Sequence, residues 1–285
     1  MQVKHFFDAR TWTLTYVAWD ETTRDAVILD PVLDYDPATG RIWQESVNAV
    51  IAWVEAQALT VRAILETHAH ADHLSGAQAL KARFDAPVVI GEGIRQVQSV
   101  FAPVFDLGAD FKADGSQFDA LLADGQEAHF GSIVVKALHT PGHTPACMSY
   151  VMGDAVFTGD ALFMPDYGVG RCDFPAGDAG ALYTSVHDTL YALPDTTRVY
   201  VGHDYQPEGR PVAYETTIGA SKASNVQLRA STPRDAFVEA RTARDTTLAA
   251  PRLLLPSIQV NIDAGRLPKP HANGRSYLVT PLKIV

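Results

Sequence analysis

Thr67-His68-Ala69-His70-Ala71-Asp72-His73 follows directly on the apolar run Val61-Arg62-Ala63-Ile64-Leu65. Core packing does not explain three histidines and a carboxylate so close together, because each buried polar group needs its own partner. A metal ion supplies one partner to all of them. His68, His70 and Asp72 stand at i, i+2 and i+4, a spacing that points side chains to one side of an extended segment. The apolar run reads as a strand, so the cluster is expected on a short loop presented by a rigid sheet.

Three later segments repeat this grammar. In Leu138-His139-Thr140-Pro141-Gly142-His143-Thr144-Pro145, Pro and Gly favour a tight turn that aims His143. Ala155-Val156-Phe157-Thr158-Gly159-Asp160 is a short apolar strand ending on a carboxylate, and Val199-Tyr200-Val201-Gly202-His203-Asp204-Tyr205 is another ending on a histidine. An apolar run repeatedly ends in a metal-type ligand, which suits a sheet whose strand ends converge on one site.

Strand-like runs fall at Thr13–Trp19, Ala26–Asp30, Val61–Leu65, Pro87–Ile90, Ser132–Leu138, Met148–Met152, Ala155–Thr158 and Arg198–Val201. Helical spacing appears in Val47, Val50, Ile51 and Val54, and again in Leu182, Val186 and Leu190. Thr232-Pro233-Arg234-Asp235 reads as a helix start, with Thr232 as N-cap and Pro233 at the first helical position. Interleaved strands and helices argue for a layered α+β or α/β class.

The order H-x-H-x-D-H, a distant His, an Asp and a last His resembles the metallo-β-lactamase superfamily, over His68 to Tyr205, close to half of the chain. The resemblance implies an α+β fold, an αββα sandwich with the metal site along one edge. We expect one domain over residues 1–285, in which about 206–285 form a C-terminal helical and irregular extension. Pro207 to Leu248 is polar and reads as helical. Pro251, Pro256, Pro268 and Pro270 argue against a regular helix beyond it.

Composition narrows the function class. The chain has 285 residues, 47% of them hydrophobic, enough for a large core in one domain. No apolar stretch approaches the ~20 residues of a membrane span, so no membrane partner is expected. Met1-Gln2-Val3-Lys4-His5-Phe6-Phe7 enters strand-like sequence at once, without the apolar region of a leader. The two cysteines, Cys147 and Cys172, make no disulfide framework and fit a reducing cytoplasm. Asp and Glu outnumber Lys and Arg, 33 to 23, for a formal charge of −10, which disfavours a nucleic-acid partner.

Within the superfamily, Gly168-Val169-Gly170-Arg171-Cys172-Asp173-Phe174 is the discriminating segment. With Phe157-Thr158-Gly159-Asp160-Ala161-Leu162 and Gly202-His203-Asp204-Tyr205 it resembles the persulfide dioxygenase (sulfur dioxygenase) family, which carries G-R-x-D-F here. Glyoxalase II thioesterases typically carry an aromatic and Glu-Gly after the basic residue, a pair this chain lacks. Taken whole, the chain also resembles the bacterial β-lactamase-like hydrolases grouped with that family. Ile28-Leu29-Asp30-Pro31-Val32-Leu33 is similar to the family's second strand and following turn.

Carried over residue by residue, the resemblance implies that His68, His143 and Asp160 hold one Fe(II) per chain. Two histidines and a carboxylate leave three positions open, where the sulfur of glutathione persulfide meets O2 to give sulfite and glutathione. His70, Asp72, His73 and His203 would orient the ligands and shuttle protons. With Asp160 as a bridge the same four complete a two-metal site, so zinc as a substitute and a glyoxalase II-like thioester hydrolase are the alternative. Related enzymes are often dimers, so the resemblance leaves a homodimer open, and the chain carries no coiled coil or other signature that fixes the oligomer.

Arg171 suits a carboxylate of the glutathione moiety, or alternatively an internal ion pair with Asp173 or Asp166. Tyr205 is a candidate for lining the substrate pocket. Cys172 and Cys147 read as inert core residues. His5, His129, His139, His187 and His271 lack ligand spacing and read as surface or structural histidines.

Overall fold

The computed structural model describes residues 1–282. Its first half contains β1 (Gln2–Asp8), β2 (Thr13–Trp19), β3 (Asp25–Leu29), β4 (Val32–Asp36), β5 (Arg41–Trp43), α1 (Glu45–Ala56), β6 (Thr60–Leu65), β7 (Leu74–Ser75), α2 (Ala77–Phe84), β8 (Val88–Gly91), α3 (Ile94–Phe101) and β9 (Ala120–Leu122). The second half contains β10 (Glu127–Phe130), β11 (Ile133–His139), β12 (Met148–Met152), β13 (Ala155–Phe157), α4 (Ala179–Thr184), β14 (Arg198–Tyr200), β15 (Glu215–Thr217), α5 (Ile218–Ser224), α6 (Arg234–Asp245) and α7 (Leu254–Asn261). One six-stranded sheet has the order β1-β2-β3-β6-β8-β9, the other runs β10 to β15 in sequence order, and β5-β4-β7 form a small third sheet.

Alternation along the strands explains the layering. On β2, Leu14, Tyr16 and Ala18 face the core between the large sheets, while Val17 faces a second core under helices. On β3, Val27 and Leu29 divide from Ala26 and Ile28 in the same way. Successive strand side chains point to opposite faces, so a strand apolar on both faces must be covered on both. The inner core joins Leu29 and Leu65 of one sheet to Val135, Tyr150 and Phe157 of the other. The outer core packs Ile28, Ile64 and Val88 against Val50 and Val54 of α1 and Leu80 of α2. Buried aliphatic side chains contribute roughly 1.5–3 kcal/mol each, so the two cores hold the layers together. This is the expected αββα sandwich.

All eight predicted strands are present, with ends shifted by no more than one residue. Leu182, Val186 and Leu190 are fully buried, on α4 and the π-helical turn Ser185–Leu190 that continues it. Among the described residues, no helix is long and apolar enough to cross a membrane.

Two expectations in the C-terminal extension need correction. Pro233, at φ −66° and ψ 143°, is itself the N-cap of α6 and lends no side-chain bond. The Thr232 hydroxyl instead accepts the Arg229 N–H at 2.9 Å. The stretch around Pro256 is also helical, as α7. Pro256 is the third helical residue, within the first turn, where backbone N–H groups have no helical acceptor to lose.

Helix α7 matters because it ends on Asn261. The Asn261 amide donates to the carbonyls of His70 and His73, both at 2.8 Å, and its oxygen accepts the Ser75 N–H at 2.8 Å. A residue nearly two hundred positions downstream thus clamps the histidine loop. Asn261→Ala leaves three buried backbone groups unpaired, for an expected loss of about 2–4 kcal/mol. A urea titration should show a lower midpoint at unchanged slope; an unshifted midpoint would refute the clamp.

Candidate metal centre

The loop after β6 begins at Glu66, directly beyond the last strand residue, and its shape is set by Asp30. Asp30 follows β3 in the left-handed conformation, φ +48°. Its buried carboxylate accepts the Thr67 N–H at 2.7 Å and the Thr67 hydroxyl at 2.9 Å, and contacts His70 Nε2 at 3.0 Å. Gly159, at φ +49°, brings the β13 loop against Thr67, where a Cβ would stand 2.5 Å from the Thr67 hydroxyl. Strands β13 and β14 run parallel, so the segments beyond their C-terminal ends lie side by side and carry Asp160 and His203 into one place.

The predicted residues converge in two adjoining groups. His68, His143 and Asp160 form one, and His70, Asp72 and His203 the other; within each, the ligand atoms lie within 4.8 Å of one another. Asp160 stands between them, Oδ2 3.4 Å from His143 Nε2 and Oδ1 3.3 Å from His203 Nε2. Asp72 Oδ2 lies 3.5 Å from His203 Nε2 and 3.2 Å from His73 Nδ1. The expectation that His68, His70 and Asp72 share one side of an extended segment is corrected. Residues 67–73 form a looped segment outside the strands, and its turns divide those three side chains between the two groups.

Each ring is oriented through the nitrogen that faces away from the centre. His143 Nδ1 donates to the Arg171 carbonyl at 2.7 Å, and His203 Nδ1 to the Trp12 carbonyl at 3.3 Å. His68 Nδ1 meets the Thr67 hydroxyl at 3.0 Å. His70 Nε2 is held by Asp30 and, at 3.2 Å, by Glu66. The opposite atoms His68 Nε2, His70 Nδ1 and His73 Nε2, and the carboxylate oxygen Asp160 Oδ1, are buried without a hydrogen-bond partner among the described residues. Each such atom costs about 1–3 kcal/mol if left unmet. A cation in each of the two groups would meet the atoms of His68, His70 and Asp160, so the donor set fits a metal centre.

The charges differ between the two groups. Burial, followed by the neighbouring histidines, lowers His68 well below the usual imidazole range and keeps it a neutral donor. Burial would lower His70 too, but the Asp30 charge and hydrogen bond, joined by Glu66, hold it well above that range. Burial opposes ionisation of Asp72, yet His203 and His73 hold it well below the usual carboxylate range.

A cavity of about 300 Å³ opens onto His143, Asp160 and Asp72, with aromatic lining from Trp12, Phe163, Tyr167 and Tyr205. Tyr205 stacks on His203, ring centroids 5.6 Å apart, as well as lining the cavity. Arg171 lines it too, but its fork is taken by Asp173 at 2.5 and 2.6 Å and its other nitrogen by the Ala249 carbonyl at 2.8 Å. The internal pair with Asp173 is therefore the arrangement found; Asp166 pairs with Arg210 instead. Cys147 and Cys172 are buried, and burial raises both thiols, Cys147 to about 12. Asp30, Glu66 and Asn261 are orienting residues that ligand spacing did not single out. Asp30 and Glu66 each stand directly beyond a strand near the motif, which was a signal; Asn261 had none.

A family model described as the metallo-beta-lactamase superfamily matches residues 13–203. The chain is 48% identical to a probable metallo-hydrolase of Burkholderia pseudomallei, over 100% of both chains. It is 32% identical to the human mitochondrial persulfide dioxygenase ETHE1, over 71% of this chain and 68% of that one. The crystal structure of ETHE1 from Myxococcus xanthus superposes with a TM-score of 0.74 at 34% identity, covering 93% of this chain and all of that one. Some relatives are longer: the chain spans 64% of a beta-lactamase hydrolase-like protein of Xylella fastidiosa.

Asp30→Ala should release both Thr67 and His70 while substituting none of the candidate ligands. Metal affinity is expected to fall about 10–100-fold, measured by equilibrium dialysis with elemental analysis. Wild-type affinity in a folded variant would show that Asp30 does not orient the centre.

Proposed function

The chain belongs to the metallo-β-lactamase superfamily, and on that premise we propose that it is a persulfide dioxygenase. It would oxidise glutathione persulfide with O2 to sulfite and glutathione at one non-haem Fe(II) per chain. The observation that carries this reading is the convergence of His68, His143 and Asp160 on one point. Two imidazoles and one carboxylate are the donor set of non-haem ferrous oxygenases. The similarity to human persulfide dioxygenase supports it.

Bound by these three residues, Fe(II) would supply open positions that bring a persulfide sulfur and O2 together and a path for electrons between them. The overall reaction takes one persulfide, one O2 and one water, and yields one thiol, one sulfite and two protons. The protein's own part is positioning. The Arg171 carbonyl fixes the His143 ring through Nδ1. Phe163, Tyr167 and Tyr205 give the cavity an apolar lining that limits water around the reacting sulfur. His203, between Asp72 and Asp160, stands where it can carry released protons.

A second reading is zinc-dependent hydrolysis of a thioester. It rests on the second group, His70, Asp72 and His203, beside the first with Asp160 between them. A pair of zinc ions there would activate water. The Burkholderia relative's name, a probable metallo-hydrolase, is in keeping with it.

Oxygen uptake separates the two. Fe(II)-loaded protein given glutathione persulfide should consume O2 and release an equal amount of sulfite, and His143→Ala should reduce this at least ~100-fold, the scale of losing an essential ligand. No uptake from fully iron-loaded protein, with S-lactoylglutathione hydrolysed by the zinc form, would replace the first reading with the second.

A further inference from the structure

The turn between β1 and β2 carries a row of side-chain oxygens that leads away from the metal centre. The Thr13 hydroxyl lies 3.2 Å from Asp72 Oδ2 and 3.4 Å from His73 Nδ1. It also meets the Thr11 hydroxyl at 2.8 Å, and Thr11 donates to Asp8 Oδ2 at 2.7 Å. Asp72 belongs to the second group at the metal centre. Asp8 instead lines a separate cavity of about 460 Å³, together with Phe7, Arg10, Glu45 and Ser46. Thr13 is 1% and Asp8 8% exposed, so the row crosses the protein interior and ends at the wall of the second cavity. That cavity meets solvent at Glu45, which is exposed. Arg10 borders both cavities, and its pairs with Asp8, Asp34 and Glu45 hold the turn in place.

Counting protons shows what the row can do. Each threonine hydroxyl donates one hydrogen bond, so two protons serve three contacts: Asp72 to Thr13, Thr13 to Thr11, and Thr11 to Asp8. If Thr11 donates to Asp8, Thr13 donates to Thr11 and the Asp72 end goes unserved. If Thr13 donates to Asp72, Thr11 turns to Thr13 and the Asp8 end loses its donor. Two carboxylates therefore compete for one chain of donors. The chain has two polarities, and a proton passing along it converts one into the other.

We propose that Thr13, Thr11 and Asp8 form a relay that carries protons from the metal centre to the second cavity. The inference rests on turnover under either functional reading, since persulfide oxidation releases two protons and thioester hydrolysis one. A proton delivered to Asp72 Oδ2 passes to the Thr13 oxygen, while the Thr13 proton moves to Thr11 and the Thr11 proton to Asp8. Three O–H bonds break and three form, so charge is displaced from one carboxylate to the other and none is created. Asp8 then gives its proton to solvent through the second cavity, and rotation of the two hydroxyls resets the chain. The route leaves by a different cavity from the one the substrate fills. Thr11 and Thr13 act through Asp72, not on the substrate.

Thr11→Val tests the relay, because it keeps the shape of the side chain and removes the middle hydroxyl, which bonds to no candidate ligand. With whichever substrate turns over, glutathione persulfide or S-lactoylglutathione, kcat should fall about tenfold at little-changed KM and metal content. The solvent deuterium isotope effect on kcat should rise, and a hindered pyridine buffer, too crowded to bind metal, should restore the rate. Thr11→Ser, which returns the hydroxyl, should recover most of it. A wild-type rate and isotope effect in Thr11→Val overturns the relay. So does a slow variant that the buffer does not restore, the mark of a packing role. A second readout needs no turnover. His73 Nδ1 faces the Asp72 carboxylate at 3.2 Å, so it carries a proton. In zinc-loaded protein, NMR should show that proton exchanging with solvent more slowly in Thr11→Val, by a similar factor. Unchanged exchange overturns the relay even where turnover falls. Slowed exchange in a protein that turns over neither substrate supports the relay and refutes both functional readings.

Discussion

The Asp30 carboxylate is the contact on which the rest of the centre depends. It is 3% exposed, so its charge is tolerated only because Thr67 and His70 surround it. Those bonds fix the first turn of the loop after β6 and one nitrogen of His70. Removing the carboxylate would free both the loop and the ring. The left-handed backbone at Asp30, unusual for a residue other than glycine, lets the chain leave β3 and still direct the carboxylate inward.

Around that anchor, ligands come from both sheets. His68, His70 and Asp72 follow β6 of the first sheet, while His143, Asp160 and His203 follow β11, β13 and β14 of the second. Contact between the sheets therefore positions the centre as much as any loop does. The Met148 N–H donates to the Thr67 carbonyl at 2.9 Å, and the Leu14 N–H to the Gly202 carbonyl at 2.9 Å. The Tyr16 hydroxyl reaches the Val201 carbonyl at 2.7 Å. The inner core that holds the sheets together thus also sets the distances between ligands.

The C-terminal extension adds a third support. Asn261 holds the carbonyls of two loop histidines, and Arg241, Arg244 and Arg252 line the cavity. An extension that reads as polar and Pro-rich in sequence borders the site on one side and braces it on another. Its helices accommodate proline at their starts: Pro256 lies in a first turn and Pro233 is a cap. Proline excludes helix only where an N–H would have been bonded.

The amino-acid sequence by itself determined the strands, the layered class and the residues able to bind a metal. Strand alternation and clustered histidines are local patterns, and each apolar run marks where a ligand-bearing loop begins. Local spacing did not say which of those residues meet; the family resemblance implied the trio His68, His143 and Asp160, and the tertiary structure brings it together. His68 joins His143 and Asp160, not Asp72 four residues away, because a loop folded around Asp30 does not keep the two-residue period of a strand. It also decided that Arg171 pairs with Asp173 while Arg244 and Arg252 remain free of ion pairs among the described residues. Partner choice between distant charges follows from packing that brings α6 and α7 back to the cavity, and no local pattern in a chain encodes such long-range contacts.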